Sequence, residues 1–184
     1  MLATCALRPS GIFGPGLDKL LVPSLVERAK AGKMKYIVGS GHNLFDWTYV
    51  GNVAQAHLLA AQALGPSSKV SGQAYFITNG EPYLFWTFLG DILSGLGYDR
   101  PHIHLPVWLM MIFATLAILL GSVFGFQSDF NPMRVRLASV QRTMKCDKAR
   151  RDLGYVPAVN LQEGIKRTVE GFQHLALEST SKLS

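Results

Sequence analysis

The sequence predicts an α/β chain on three observations. Short apolar runs alternate with stretches of helical periodicity, and glycine, proline or asparagine marks nearly every change between them. No internal repeat or low-complexity linker breaks that order. At 184 residues the chain is long enough for one ordinary domain, or for a domain with a fragment of another.

Residues 2–10 read as a buried strand, closed by Gly11, Gly14 and Gly16. Over 17–33, Leu21, Leu25 and Val26 fall on one helical face, with Gly32 as a C-terminal stop. Residues 34–50 read as two short strands around a Gly-Ser-Gly turn. A helix over 52–64 takes Asn52 as N-cap and ends at Gly-Pro-Ser-Ser. Residues 72–82 form a strand running into a turn, 84–96 a helix, and 100–106 a hinge. After an apolar stretch come a short strand at 142–146 and a helix at 147–154, capped by Asp147 and stopped by Gly154. The last helix, over 160–175, has Asn160 and Glu163 in capping-box spacing, and 177–184 is a frayed tail. The first strand has no element before it, so its edge and that of "AYFIT" are expected to be open and prone to pairing with other chains.

The net charge of +6 is scattered, and the one basic run, "KCDKARRD", interleaves acids, which argues against nucleic acid as a partner. Two cysteines, Cys5 and Cys146, give no disulfide framework. The first residues lack the basic lead of a signal peptide. His102 and His104 share a strand face, but no acid or cysteine stands near to complete a metal site, so none is expected. Asp46 and His57 form no triad with an identifiable serine.

Gly11, Gly14 and Gly16 raise the question of a nucleotide loop. Such a loop must lead at once into a helix whose free N–H groups face the pyrophosphate, with an acid closing the second strand about twenty positions on. Here Pro9 and Pro15 stiffen the turn, the helix starts several residues later, and "KYIVG" carries no acid. The glycines read as a turn at the end of a strand.

The phrases "ALRPSGIFGPG", "GKMKYIVGSGHNLFDWTYVGNVAQAHLLAAQAL", "GQAYFITNGEPYLFWTFLGDILSGLGY", "FNPMRVRLAS" and "DKARRDLGYVPAVNLQEGIKRTVEGF" occur in that order. Together they resemble the C-terminal half of the 3β-hydroxysteroid dehydrogenase family of extended short-chain dehydrogenases, above all its decarboxylating members of sterol C4 demethylation. The resemblance implies an incomplete Rossmann-like fold. Residues 1–100 would belong to the dinucleotide-binding fold, 101–130 to an apolar membrane-associated segment, 131–176 to a substrate subdomain and 177–184 to a flexible tail. It also implies oxidation of a sterol 3β-hydroxyl with NAD or NADP, after which the 3-ketone acts as electron sink for loss of the C4 carboxylate.

By the same resemblance Pro9 and Ser10 lie near the nicotinamide, and Gly11 and Ile12 edge the substrate pocket. Asn43, Asp46 and Trp47 would line the sterol side. Each of these residues has an equally plain reading as turn or core. In the family a Tyr-x-x-x-Lys pair removes the hydroxyl proton. Tyr36, Tyr49, Tyr75, Tyr83, Tyr98 and Tyr155 all lack a lysine four residues on, and the glycine fingerprint is absent too. The chain is therefore expected to start after the catalytic helix, to hold no catalytic residue, and to bind NAD(P) poorly by itself. Three readings stay open: part of a dehydrogenase completed by further protein, a non-catalytic form that binds a full-length dehydrogenase, and a sterol-binding module.

Residues 105–126 carry no charge, with Pro106 suited to a first helical turn and Trp108 to an interface. As a helix the segment could embed from the cytosolic face, span a bilayer, or be a buried lid or core. The first is preferred, because residues on both sides of it belong to one α/β body. That reading adds membrane lipid to the sterol as a partner and puts the chain on the cytosolic face of the endoplasmic reticulum membrane, where Arg134, Arg136, Arg142 and Lys145 would meet anionic lipid.

Overall fold

Two parallel strands, β1 (Ala6–Pro9) and β6 (Ala74–Ile77), pair in register from Ala6 opposite Ala74 to Pro9 opposite Ile77. Between them come β2 (Ile12–Phe13), α1 (Leu21–Lys30), β3 (Tyr36–Val38), β4 (Leu44–Phe45), β5 (Thr48–Tyr49) and α2 (Val50–Ala63). After them come β7 (Tyr83–Leu84), α3 (Phe85–Gly95), β8 (Ile103–Leu105), α4 (Val107–Phe124), α5 (Pro132–Ser139), α6 (Asp147–Leu153) and α7 (Leu161–Gly171). The computed structural model describes residues 2–16, 20–125 and 130–177. The expected start of the first helix at Leu17, the end of the apolar stretch at Phe126 and nearly all of the tail lie outside the described residues.

The remaining strands also pair two by two. β2 runs parallel to β5, β3 parallel to β8, and β4 antiparallel to β7. Three apolar clusters hold these pairs together. The largest gathers Phe13, Phe45, Trp47 and Tyr49 with Val22, Leu25 and Val26 of α1, Phe88 and Ile92 of α3, and Leu161 and Ile165 of α7. A second packs Ala56 and Ala60 of α2 and Ala149 and Leu153 of α6 on Tyr75 and Ile77 of β6. Small residues on α2 let it approach the sheet closely, and the fully buried Tyr75 fills the space left.

Several expectations are corrected. β1 is shorter than residues 2–10 and is not buried, alternating exposed and half-buried, because among the described residues only β6 flanks it. Asn52 is not an N-cap: α2 starts at Val50, and the Asn52 carboxamide turns inward to bind buried backbone. Residues 142–146 form no strand; Arg142 makes one parallel bridge with Phe45. Residues 103–105 of the expected hinge are β8, whose partner is β3. α6 has Cys146, not Asp147, at its N-cap position, while Gly154 in the left-handed region ends it as expected. Asn160 caps α7 by accepting from the Glu163 N–H at 2.9 Å, but the Glu163 carboxylate pairs with Arg167 at 2.7 Å. α5 has no counterpart in the sequence reading, although Asn131 caps it and Pro132 opens it.

The membrane-associated segment is also corrected. α4 has 18 residues, about 27 Å at 1.5 Å per residue, against a hydrocarbon core of about 30 Å. Among the described residues no helix is long and apolar enough to cross a membrane. Gly125, in the left-handed conformation, ends α4 by donating its N–H to the Gly121 carbonyl. Ala114 is fully buried and packs with Val38 and Val135, ringed by Met110, Met111 and Ala138. The apolar segment is thus a helix docked on β3 and α5, and the expectations of an endoplasmic reticulum membrane location and a lipid partner lose the feature they stood on.

Candidate functional site

In open α/β sheets ligands bind beyond the carboxyl ends of parallel strands. β1 and β6 end together at Pro9 and Ile77, and the next residues, Ser10 and Thr78, are both buried. The Ser10 N–H donates to the Ile77 carbonyl at 3.1 Å, extending the ladder by one bond. Thr48, fully buried at the start of β5, clamps both strand ends. Its hydroxyl lies against the carbonyls of Ser10 and Ile77, the latter at 3.1 Å, and its N–H donates to the Gly11 carbonyl at 3.0 Å.

Gly11 is where the turn meets the aromatic wall. Its φ is +40°, and a Cβ there would collide with the Phe45 ring edge and stand 2.9 Å from Trp47 Cε3. Only glycine fits. Behind it Trp47, 4% exposed, stacks on Phe88 with ring centroids 3.7 Å apart and planes at 13°. Phe45 leans on Trp47 at 4.5 Å. Ile12 lies across from Thr48 and is 47% exposed, the apolar side chain that this turn shows to the outside.

Asp46, in the link between β4 and β5, is 1% exposed. Its carboxylate accepts from the Met144 N–H, and its own N–H donates to the Arg142 carbonyl at 3.1 Å. Burial pushes the Asp46 carboxyl above its ordinary range, and the Met144 bond opposes that rise. Asn43 ties the same stretch to the end of α5, donating from Nδ2 to the Ala138 and Val140 carbonyls at 3.3 and 3.4 Å.

The structure therefore brings Ser10, Gly11 and Ile12 together with Trp47. Asp46 and Asn43 face the 138–144 segment instead, and Pro9 is part of the ladder with Ile77. Sequence reasoning missed Thr48, Phe45, Arg142 and also Asn79, whose N–H donates to the Trp47 carbonyl at 3.1 Å. Thr48 and Phe45 lie within the quoted "NLFDWTYV", where a β-branched hydroxyl between aromatics was the one available signal.

These residues do not fit a whole dinucleotide. The N–H and C=O of Ser10 are both engaged within the fold, as is the Gly11 carbonyl, so the turn offers an edge rather than a cradle. A cleft of about 340 Å³ lies elsewhere, between the β3–β8 pair and α3, lined by His42, Trp86, Arg100 and His104. Arg100 there is held by Asp91 at 2.8 Å. Among the described residues no three His, Cys, Asp or Glu side chains converge as a metal site would require.

Residues 1–107 match the 3-beta hydroxysteroid dehydrogenase/isomerase family. The chain is 53% identical over 189 residues to 3beta-hydroxysteroid-dehydrogenase/decarboxylase isoform 2 of Arabidopsis thaliana, covering 98% of this chain and 33% of that protein. It is 45% identical to the human sterol-4-alpha-carboxylate 3-dehydrogenase, decarboxylating, covering 94% and 47%. The chain thus spans between a third and a half of these relatives. Among solved structures, gox2253 superposes with a TM-score of 0.67 at 19% identity over 92% of this chain and 49% of its own. A UDP-glucuronic acid 4-epimerase from Bacillus cereus in complex with NAD gives a TM-score of 0.56 at 18% identity, over 93% and 45%. Both likenesses are of fold, the extended Rossmann-like α/β architecture.

Proposed function

The chain belongs to the 3-beta hydroxysteroid dehydrogenase/isomerase family, and from that premise we propose that it forms the substrate-facing rear portion of a decarboxylating 3β-hydroxysterol dehydrogenase. The family's enzymes are NAD(P)-dependent oxidoreductases acting on CH–OH groups, and the fold is one that uses NAD or NADP. The substrate class is a 3β-hydroxysterol carrying a C4 carboxylate. The observation that carries this reading is identity above 40% along nearly the whole chain to proteins named as sterol dehydrogenase/decarboxylases.

The geometry supports a division of labour. Ile12, 47% exposed, offers an apolar flank to a flat, rigid ligand and the buried Phe45–Trp47 pair backs the turn that carries it, while the Ser10–Gly11 turn is an edge against which a nicotinamide could rest. No tyrosine here has a lysine four residues on, so the proton-abstracting pair and the pyrophosphate cradle come from protein outside this chain. The source is either the same polypeptide in a longer form or a full-length dehydrogenase bound to it. In both cases residues 1–100 are the cofactor-side body and 131–176 complete the substrate side.

The test is equilibrium binding of a labelled 4-carboxy-3β-hydroxysterol to the 184-residue chain, with turnover measured in NAD and in NADP. Sterol should bind, Trp47→Ala should weaken it, and the chain alone should reduce neither nucleotide. Absence of sterol binding overturns the substrate reading, and turnover by the chain alone overturns the rear-portion reading.

A further inference from the structure

Arg142 is fixed beside the aromatic wall by its own backbone. Its N–H donates to the Leu44 carbonyl at 2.9 Å and its carbonyl accepts from the Asp46 N–H at 3.1 Å, so it bridges across Phe45. The guanidinium carbon lies 4.5 Å from the centroid of the Phe45 ring. The edge of that ring occupies the place a Cβ on Gly11 would take. The Phe45 ring therefore carries the guanidinium on its face and meets the Ser10–Gly11 turn at its edge, so charge and turn share one aromatic neighbour.

The Arg142 Nε–H is buried and finds no partner. Buried side-chain polar atoms left in this way are concentrated here: among the described residues they belong to Asn43, Trp47, Arg142 and Gln55, and the first two flank β4, the strand that Arg142 bridges. Arg100, Arg150, Arg151 and Arg167 each pair with a carboxylate. Among the described residues none pairs with Arg142. A guanidinium stacked on a ring, with a desolvated donor and no internal anion, is prepared for a planar, two-oxygen acceptor from outside. The apolar wall beside it favours a carboxylate attached to a hydrophobic ring system over free phosphate.

We propose that Arg142 receives the C4 carboxylate of the sterol and sets the preference for the carboxylated substrate; this rests on the reading of function given above. Arg142 here determines specificity through ground-state binding, and no proton or hydride passes through it.

The experiment compares a 4α-carboxy-3β-hydroxysterol with its 4α-methyl counterpart, binding each to the full chain and following tryptophan fluorescence. Wild type should prefer the acid. Arg142→Met, which keeps the stem over Phe45, should weaken the acid about tenfold or more and leave the methyl sterol within about twofold, the scale of a lost charge-assisted pair. Arg142→Gln should do the same, and it decides the matter if the Met variant shows no cooperative melting. A preference that survives either folded variant, or is missing from wild type, overturns the assignment of Arg142 and leaves the sterol reading standing. Wild type that binds neither sterol overturns both.

Discussion

The carboxamide of Asn52 donates to the Asn79 side-chain oxygen at 2.9 Å, joining the first turn of α2 to the end of β6 with both residues buried. Asn52 also donates to the Val159 carbonyl at 2.7 Å and accepts from the N–H groups of Ala158 and Val159 at 3.1 and 3.0 Å. One side chain thus satisfies backbone on a loop more than a hundred residues away. Removing it leaves several buried groups unpaired, each worth about 1–3 kcal/mol. Asn52→Ala should destabilise the chain by about 3 kcal/mol or more, read as a lower urea midpoint with unchanged slope. A loss below about 1 kcal/mol would mean that water replaces these bonds.

Gly11→Ala tests the contact between the strand-end turn and the aromatic wall. The added methyl would strike Phe45 and stand 2.9 Å from Trp47 and 3.0 Å from the Asp46 carbonyl, at a φ of +40°. Neither ring can yield easily, because Trp47 is stacked on Phe88. Overpacking and left-handed strain together should cost about 2–4 kcal/mol and shift tryptophan emission as Trp47 loses its stack. Unaltered emission in a variant of normal stability would show that the turn moves independently of the wall.

The expected helices at 84–96, 147–154 and 160–175 match α3, α6 and α7 closely, because periodicity and stop signals are local properties. Gly154 is such a signal: its left-handed conformation is written into the residue type. What local reasoning misses is set by distant partners. Asn52 looks like a cap until a loop at 158–159 passes close enough to bind it. Arg142 looks like part of a strand until its neighbour proves to be a single residue, Phe45. Ser10, Gly11, Ile12 and Trp47 were legible as a group only through family resemblance. Thr48, which holds the two strand ends together, is marked in the sequence only by its place between Trp47 and Tyr49, which says nothing of the distant carbonyls it binds. The apolar run 105–126 shows the opposite failure: its composition suggested lipid, whereas Ala114 and the methionines beside it find their contacts on β3 and α5.

Thr48→Val isolates that clamp with almost no change in shape. The hydroxyl proton that the Ser10 and Ile77 carbonyls share is lost while the Thr48 N–H still reaches Gly11. Both carbonyls are buried, so the loss should be about 1–2 kcal/mol, smaller than at Asn52 because the ladder keeps other bonds. Hydrogen exchange gives the sharper reading. The Ser10 amide, bonded to Ile77, should lose protection before amides in the middle of β1 do. Equal loss across the strand would place the effect in the sheet as a whole.

Asp46 gives the pH prediction. Its folded carboxyl is raised above the unfolded value of 3.8, mainly by burial, so the folded chain holds this proton more tightly than the unfolded one. Stability from this group is then complete below the unfolded pKa and is lost as pH rises through the raised folded value. Asp46→Asn deletes the titration and keeps a carbonyl oxygen for the Met144 N–H. Relative to wild type, the variant should gain stability as pH rises from the ordinary carboxylate range through the raised value, and the gain should be flat above it. Other carboxylates titrate alike in both proteins, Glu163 among them, whose carboxyl the Arg167 bond lowers. The difference in urea midpoint therefore reports Asp46 alone. A difference that does not vary between about pH 3 and pH 8 would mean that the Met144 bond cancels burial, and one that shrinks as pH rises would mean that it outweighs burial and that the charged form is the one this fold accommodates.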